Sequence, residues 1–212
     1  MMIKLTEGKN NNQNRFTQKS LDRLEFIPGI WVNGKSYWLQ HNTEKVINVE
    51  ALVLKVKQDH IHSKIHFFNL YVSNHSNQTK EMKILAQHHY TNVSQEHFTF
   101  ISPADNRIFH LANNNVFLVN GQCDGVGIQE CTIQPFWRIY IDQIWSSLRN
   151  GSLIYQPMAK GPASSIFTMK ISVGPRETKK SSIWSISALN KDEVISLDQA
   201  LLKNTLAFPF EK

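Results

Sequence analysis

Gly29, four further residues and then Gly34-Lys35-Ser36 give the stretch GIWVNGKS the letters of a phosphate-binding loop. Such a loop works because glycines let several backbone N–H groups curl around phosphate oxygens between a strand and a helix. Here the four inner positions are Ile30, Trp31, Val32 and Asn33, and β-branched residues resist the positive φ that a nest of amides needs. Pro28 directly precedes the first glycine, and YWLQHNTEK after Ser36 has no helical period. Asn33-Gly34 is instead a favoured pair for a two-residue type I′ turn. The same letters therefore predict a β-hairpin. Val32 faces Lys35, Trp31 faces Ser36 and Ile30 faces Tyr37. Trp31 and Trp38 then share a face on a diagonal. Trp31, Tyr37 and Trp38 become candidate contact residues, because large amphipathic rings anchor partners as readily as they pack on a sheet.

A second chemistry is metal binding. All nine histidines fall between His41 and His110. Read as one strand, DHIHSKIH (59–66) puts His60, His62 and His66 on one face, with i, i+2 neighbours about 7 Å apart. Two imidazoles at that separation can converge on one ion. His60-Ile-His62, with His110 on the later stretch RIFH, resembles the metal site of the cupin family. That resemblance implies a β-barrel enzyme whose metal is held by His60, His62 and His110. The sequence departs from the family pattern in three ways. It lacks the glycine ahead of the first histidine, the acidic ligand after the pair, and the Pro-x-Gly-x-x-His run before His110. The competing reading makes Ile61, Ile65 and Phe67 the buried face, with His60, His62, Lys64 and His66 the wet one. Lys64 in that row repels a cation. His88 and His89 point to opposite faces of a strand and cannot share an ion.

The remaining motifs are incomplete. Gly125-Val-Gly127 begins a dinucleotide fingerprint, but Glu130 stands at its third glycine. Cys123 and Cys131 lack the CxxC spacing of zinc or redox sites and read as reduced, mostly buried thiols. In NGQCDGVGIQEC, Asn120-Gly121 and Asp124-Gly125 are turn signals, which predict a tight hairpin or bulged crossover. There is no G-x-S-x-G elbow, no H-E-x-x-H helix and no acidic pair in an apolar setting. No catalytic residue, metal ligand or cofactor is therefore assigned.

The elements that would carry these residues have mostly period two. Leu52, Leu54 and Val56 alternate with Lys55 and Lys57. Met82, Ile84 and Ala86 alternate with Lys83 and Gln87, and Phe167, Met169, Ile171 and Val173 with Thr168, Lys170 and Ser172. Trp184 and Ile186 alternate with Ser185 and Ser187. Each pattern predicts a strand with one buried and one wet face. Further strands are expected at 65–72, 97–101, 107–111, 116–119 and 127–133, with polar turns between them. Two helices are expected. One follows Pro135 through Trp137, Ile141, Ile144, Trp145 and Leu148 to a stop at Asn150-Gly151. The other starts at a capping box formed by Ser196 and Gln199. Many short strands at 8–12-residue spacing give the fold class: mainly β, a single antiparallel β-sandwich, Ig-like or jelly-roll-like, with one or two short helices.

The chain has 212 residues, 41% hydrophobic and 10% aromatic, enough for one large β domain. Residues 1–18 read as a flexible, Asn-rich polar arm and residues 19–212 as the sandwich. The arm has no apolar signal region and no segment is long enough to span a bilayer, so the expected compartment is the cytosol. The net charge of +6 sits toward the two ends rather than in a stripe, which argues against a nucleic-acid binder. The first expectation is thus a non-enzymatic β-sandwich acting through contact with another protein, as an assembly, adaptor or coat-type component, with self-association open to it. The alternatives are the cupin-like enzyme and a nucleotide or nucleic-acid binder using Gly29–Ser36 or the basic ends.

Overall fold

The computed structural model describes residues 23–91, 96–105, 107–140 and 143–207. The polar arm expected over residues 1–18 lies outside them. Two antiparallel sheets pack face to face. The five-stranded sheet runs in the order β10 (Glu130–Pro135), β14 (Ala163–Val173), β6 (Lys80–Tyr90), β1 (Leu24–Val32), β2 (Lys35–Trp38). The eight-stranded sheet runs β13 (Met158–Lys160), β7 (Phe98–Ser102), β8 (Arg107–Ala112), β9 (Asn115–Cys123), β15 (Thr178–Ala188), β5 (Ile65–Asn74), β4 (Leu52–His62), β3 (Glu44–Ile47). Hairpins join β1–β2, β3–β4, β4–β5, β7–β8 and β8–β9, while the polar connections β5–β6 and β14–β15 cross between the sheets. Asn113-Asn114 (φ 48° and 62°) and Asp124-Gly125 (φ 49° and 78°) both adopt the left-handed pair that suits strand twist. Cys123 and Val126 exchange backbone bonds of 2.9 and 2.8 Å around the second of these turns, so that stretch is a tight hairpin.

The inner faces behave as the alternation predicts. Leu52, Leu54, Met82, Ile84, Ala86, Phe167, Met169, Ile171 and Val173 form one cluster between the sheets. The outer faces do not. β6 is buried along nearly its whole length, and Lys83, Gln87 and His89 on its expected wet face are almost wholly enclosed. In β15 the expected buried pair Trp184 and Ile186 is buried, but on the outer side of the sheet, and Ser185 of the expected wet face is enclosed as well. The physical reason is that each sheet carries a second cover. A helix, α2 (Lys191–Ala207), lies on the outside of the larger sheet and buries Phe67, Phe109, Leu118, Trp184 and Ile186 with its own Val194 and Leu201. A strip of chain after β10 lies on the outside of the smaller sheet, where Ile144 and Leu153 enclose Ile166 of β14.

That strip replaces the long helix expected after Pro135. The helix α1 is one turn, Phe136–Tyr140. Trp145 lies in β11 (Trp145–Ser147), which pairs with β12 (Ser152–Leu153), and Trp137 is 57% exposed instead of core-facing. Apolar residues three and four apart suit a helix face. They equally suit an irregular strip that presses some side chains onto a sheet. Gly151 does end a turn as expected, but a 3₁₀ turn (Leu148–Asn150), in the left-handed region at φ 61°. The helix α2 also starts earlier than the Ser196 capping box predicts. Asn190 Oδ1 accepts from the Glu193 amide at 2.9 Å, which leaves Ser196 in the second turn.

Gly151 anchors the strip to the sheet. A Cβ there would sit 2.5 Å from Trp31 Cδ2, while Trp31 Nε1 donates to the Leu148 carbonyl at 2.7 Å. Lys83 Nζ donates to the Gly151 carbonyl at 2.8 Å and to Glu130 Oε1 at 2.6 Å. Gly125 has a similar φ of 78°, but nothing lies within 4 Å of its Cβ position. Gly125→Ala is expected to cost only the left-handed strain of about 1 kcal/mol. Gly151→Ala adds the displacement of an indole, about 2 kcal/mol more. Urea unfolding of the two variants side by side measures the difference; equal losses would contradict the packing.

Candidate functional site

The motif GIWVNGKS forms a hairpin in the predicted register: Val32 opposite Lys35, Trp31 opposite Ser36, Ile30 opposite Tyr37 and Gly29 opposite Trp38. Asn33 and Gly34 have φ of 50° and 76°. Asn33 Nδ2 donates to the buried Glu50 at 2.7 Å, which ties the turn to the 3₁₀ turn after β3. Lys35 is exposed at the start of β2, and a strand, not a helix, follows Gly34. The three aromatic candidates are separated by the sheet. Tyr37 packs at the margin of the inner core. Trp31 and Trp38 lie on the outer face, Trp31 under the Leu148–Gly151 turn and Trp38 beside Ile144 and Leu153. All three are half-buried.

The histidine row divides too. DHIHSKIH is not one strand. β4 ends at His62 after an irregular register from Asp59, Ser63 and Lys64 turn, and β5 begins at Ile65. The physical cause is the polar Ser63-Lys64 pair, which reverses the chain where a continuous strand would have run past its neighbour. His60 and His62 are exposed near that turn, and His66 lies on the next strand. His110 is elsewhere, buried between the sheets, with Nε2 2.8 Å from Ser165 Oγ and Nδ1 3.1 Å from Thr99 Oγ1. The structure does not gather His60, His62 and His110, and among the described residues no three metal-ligating side chains come together. His88 and His89 do face opposite ways. His88 stacks between Phe26 and Phe167 in the inner core, at centroid distances of 5.0 and 6.0 Å. His89 faces outward. Cys123 is buried and Cys131 half-buried; both are unbonded, and burial pushes both thiols up.

What the outer face does assemble is a cleft of about 410 Å³. β2 stops opposite Gly29, so the first half of β1 has no β2 residue beside it there. The floor of the cleft is Glu25 and Ile27 of β1 with Gln87 and His89 of β6, held side by side by the pairings Glu25 with His89 and Ile27 with Gln87. One wall is Ser36, Trp38, Gln40 and His41, from β2 and the turn after it; the other is Ile139 of α1. His89 Nε2 lies 3.3 Å from Glu25 Oε2, and Phe136 sits edge-on to its ring at 4.7 Å. Burial lowers the His89 pKa, and the Glu25 carboxylate opposes that fall. His89 is only 7% exposed, and its Nδ1 has no hydrogen-bond partner. Gln87 turns its Nε2 toward Ser164 Oγ at 3.4 Å.

Of these residues, sequence reasoning singled out Trp38 as a contact. It missed Glu25, Gln87, His89 and Ile139. No local signal marks them, because Glu25 meets His89 only through the β1–β6 pairing. The arrangement offers one carboxylate, a set of hydrogen-bond acceptors and an indole wall, which equips it to hold a ligand. Compared with known proteins, the chain matches no family model and no curated protein.

Proposed function

We propose that the protein is a non-enzymatic β-sandwich that works by contact with another protein, as an assembly, adaptor or coat-type component, and that the contact centres on the cleft beside the β1–β2 hairpin. The observation that carries this reading is the cleft itself: about 410 Å³, walled by Trp38 and Ile139 and rimmed by the exposed Gln40 and His41. A half-buried indole inside a polar rim has the anatomy of an interface hot spot, where a few aromatic anchors supply most of the binding energy. A cytosolic setting accords with two unbonded, mostly buried thiols. Among the described residues no helix is long and apolar enough to cross a membrane.

Affinity capture from the native host, followed by a binding isotherm with the purified partner, tests the reading. Trp38→Ala is expected to weaken the isotherm by roughly 30-fold or more, the scale of a hot-spot loss of about 2 kcal/mol. Capture of no specific protein under several conditions, or a partner whose affinity ignores Trp38→Ala, would overturn it.

A further inference from the structure

We propose that the cleft receives the guanidinium group of an arginine side chain presented by the partner, an inference that rests on reading this face as a protein-contact surface. The charge argument comes first. Among the described residues lining the cleft, Glu25 carries the one formal charge, so the cleft is acidic in a chain whose net charge is +6. Arg23 lines the adjoining hollow, not this one. An anionic ligand is therefore disfavoured.

The hydrogen-bond inventory narrows the choice. With its Nε2 3.3 Å from the Glu25 carboxylate, His89 orients that carboxylate toward the cleft, while its own Nδ1 is enclosed and meets no ligand. Burial lowers the pKa of that ring, against the pull of the Glu25 carboxylate. Gln87 directs its donor end to Ser164, so its carbonyl end is the one left to accept. Ser36 and Gln40 add two more groups able to accept. The site is thus rich in acceptors and asks for a ligand rich in N–H donors. The Trp38 indole completes it, since a planar cation lies well on an aromatic face. A guanidinium meets all three demands: it carries charge, five donors in a fork that matches a carboxylate, and a flat face. An ammonium supplies the charge without the fork or the plane.

Two blocked amino acids of nearly equal shape test this: N-acetyl-arginine amide and its neutral isostere N-acetyl-citrulline amide, titrated into the full chain and followed by NMR. The arginine probe is expected to saturate at millimolar concentration, shifting the Trp38 indole signal, with the citrulline probe at least tenfold weaker. Glu25→Gln is expected to reduce arginine binding at least tenfold. Gln40→Lys, an exposed position whose substitution leaves the core untouched, is expected to do the same by placing a like charge at the rim. Equal binding of both probes, no saturation of the arginine probe, tighter binding of D-glucose, or indifference to Gln40→Lys would each overturn the proposal. The two readings fail separately. A captured partner that binds the wild type and Gln40→Lys equally removes the guanidinium but keeps the protein contact. Saturable arginine binding with no partner recovered supports the guanidinium site and removes the contact.

Discussion

Asp198→Ala is expected to lower stability by about 3–5 kcal/mol, the loss typical of removing one partner from a buried ion pair. Asp198 lies on the inner side of α2 and is wholly enclosed. Its Oδ2 accepts from Arg107 Nε at 2.6 Å, and its Oδ1 accepts from Asn120 Nδ2 at 3.0 Å and Trp184 Nε1 at 2.9 Å. Three strands, β8, β9 and β15, thus converge on one carboxylate and hold the helix to the sheet. Alanine leaves a guanidinium, an amide and an indole N–H without their acceptor in a site shielded from water, and each orphaned donor costs its desolvation. In a chain of this size the loss corresponds to a melting-temperature drop of roughly 6–20 °C. Asp198→Asn keeps the shape and one carbonyl acceptor, so it should fall between the two. In the double variant with Arg107→Ala the losses should sum to less than their total, because the two side chains share one interaction. Urea unfolding measures all three. A loss under 1 kcal/mol for Asp198→Ala would show that α2 is held by its apolar face alone.

The contrast between Asp198 and Leu54 shows what the sequence can reveal. Leu54 sits in a period-two pattern, and burying alternate residues of a strand needs only a neighbouring sheet, so its place in the core was legible. Asp198 carries no such mark. In sequence it is one acidic residue in a polar helix start, and its burial follows from where Arg107, Asn120 and Trp184 arrive by tertiary pairing. The same limit governs the outer faces. Lys83 and Gln87 read as solvated because alternation reports one buried face and is silent about a second cover. The hairpin at Gly29–Ser36 was legible to the residue, since Asn33-Gly34 fixes both turn type and register. Trp38 was legible as a contact candidate, whereas the cleft it walls depends on Glu25 and His89, which are far apart in sequence and meet only through the β1–β6 pairing. A turn between His62 and Ile65 escaped notice because Ser63-Lys64 carries neither glycine nor proline, the usual punctuation of a reversal.

The inner core carries a second expected effect of large size, and it is a dependence on pH. His110 is 2% exposed, and burial, with His89 and His97 nearby, pushes its pKa down to about 3. His88 is wholly buried between Phe26 and Phe167, and burial lowers it well below the ordinary histidine range. Both imidazoles stay neutral in the folded chain, while in the unfolded chain they take up protons near pH 6.5. Above pH 6.5 neither state binds these protons and stability does not depend on them. As pH falls below 6.5 the unfolded state binds protons that the folded state refuses, so stability drops, and for His110 it goes on dropping until about pH 3. Each refused proton is worth about 1.4 kcal/mol per pH unit, so His110 alone should account for about 2 kcal/mol by pH 5. His88 adds to the loss in the same direction. His110→Gln separates the contributions. Glutamine can still meet Ser165 Oγ or Thr99 Oγ1 across the sheets but does not titrate. The variant should therefore be less stable than the wild type at pH 7.5, where its packing is imperfect, and should lose about 2 kcal/mol less on going to pH 5. Denaturant midpoints of both proteins at the two pH values decide it. Parallel pH profiles would mean that the His110 ring accepts a proton in the folded state, and that the bridge it makes between the two sheets is open to water.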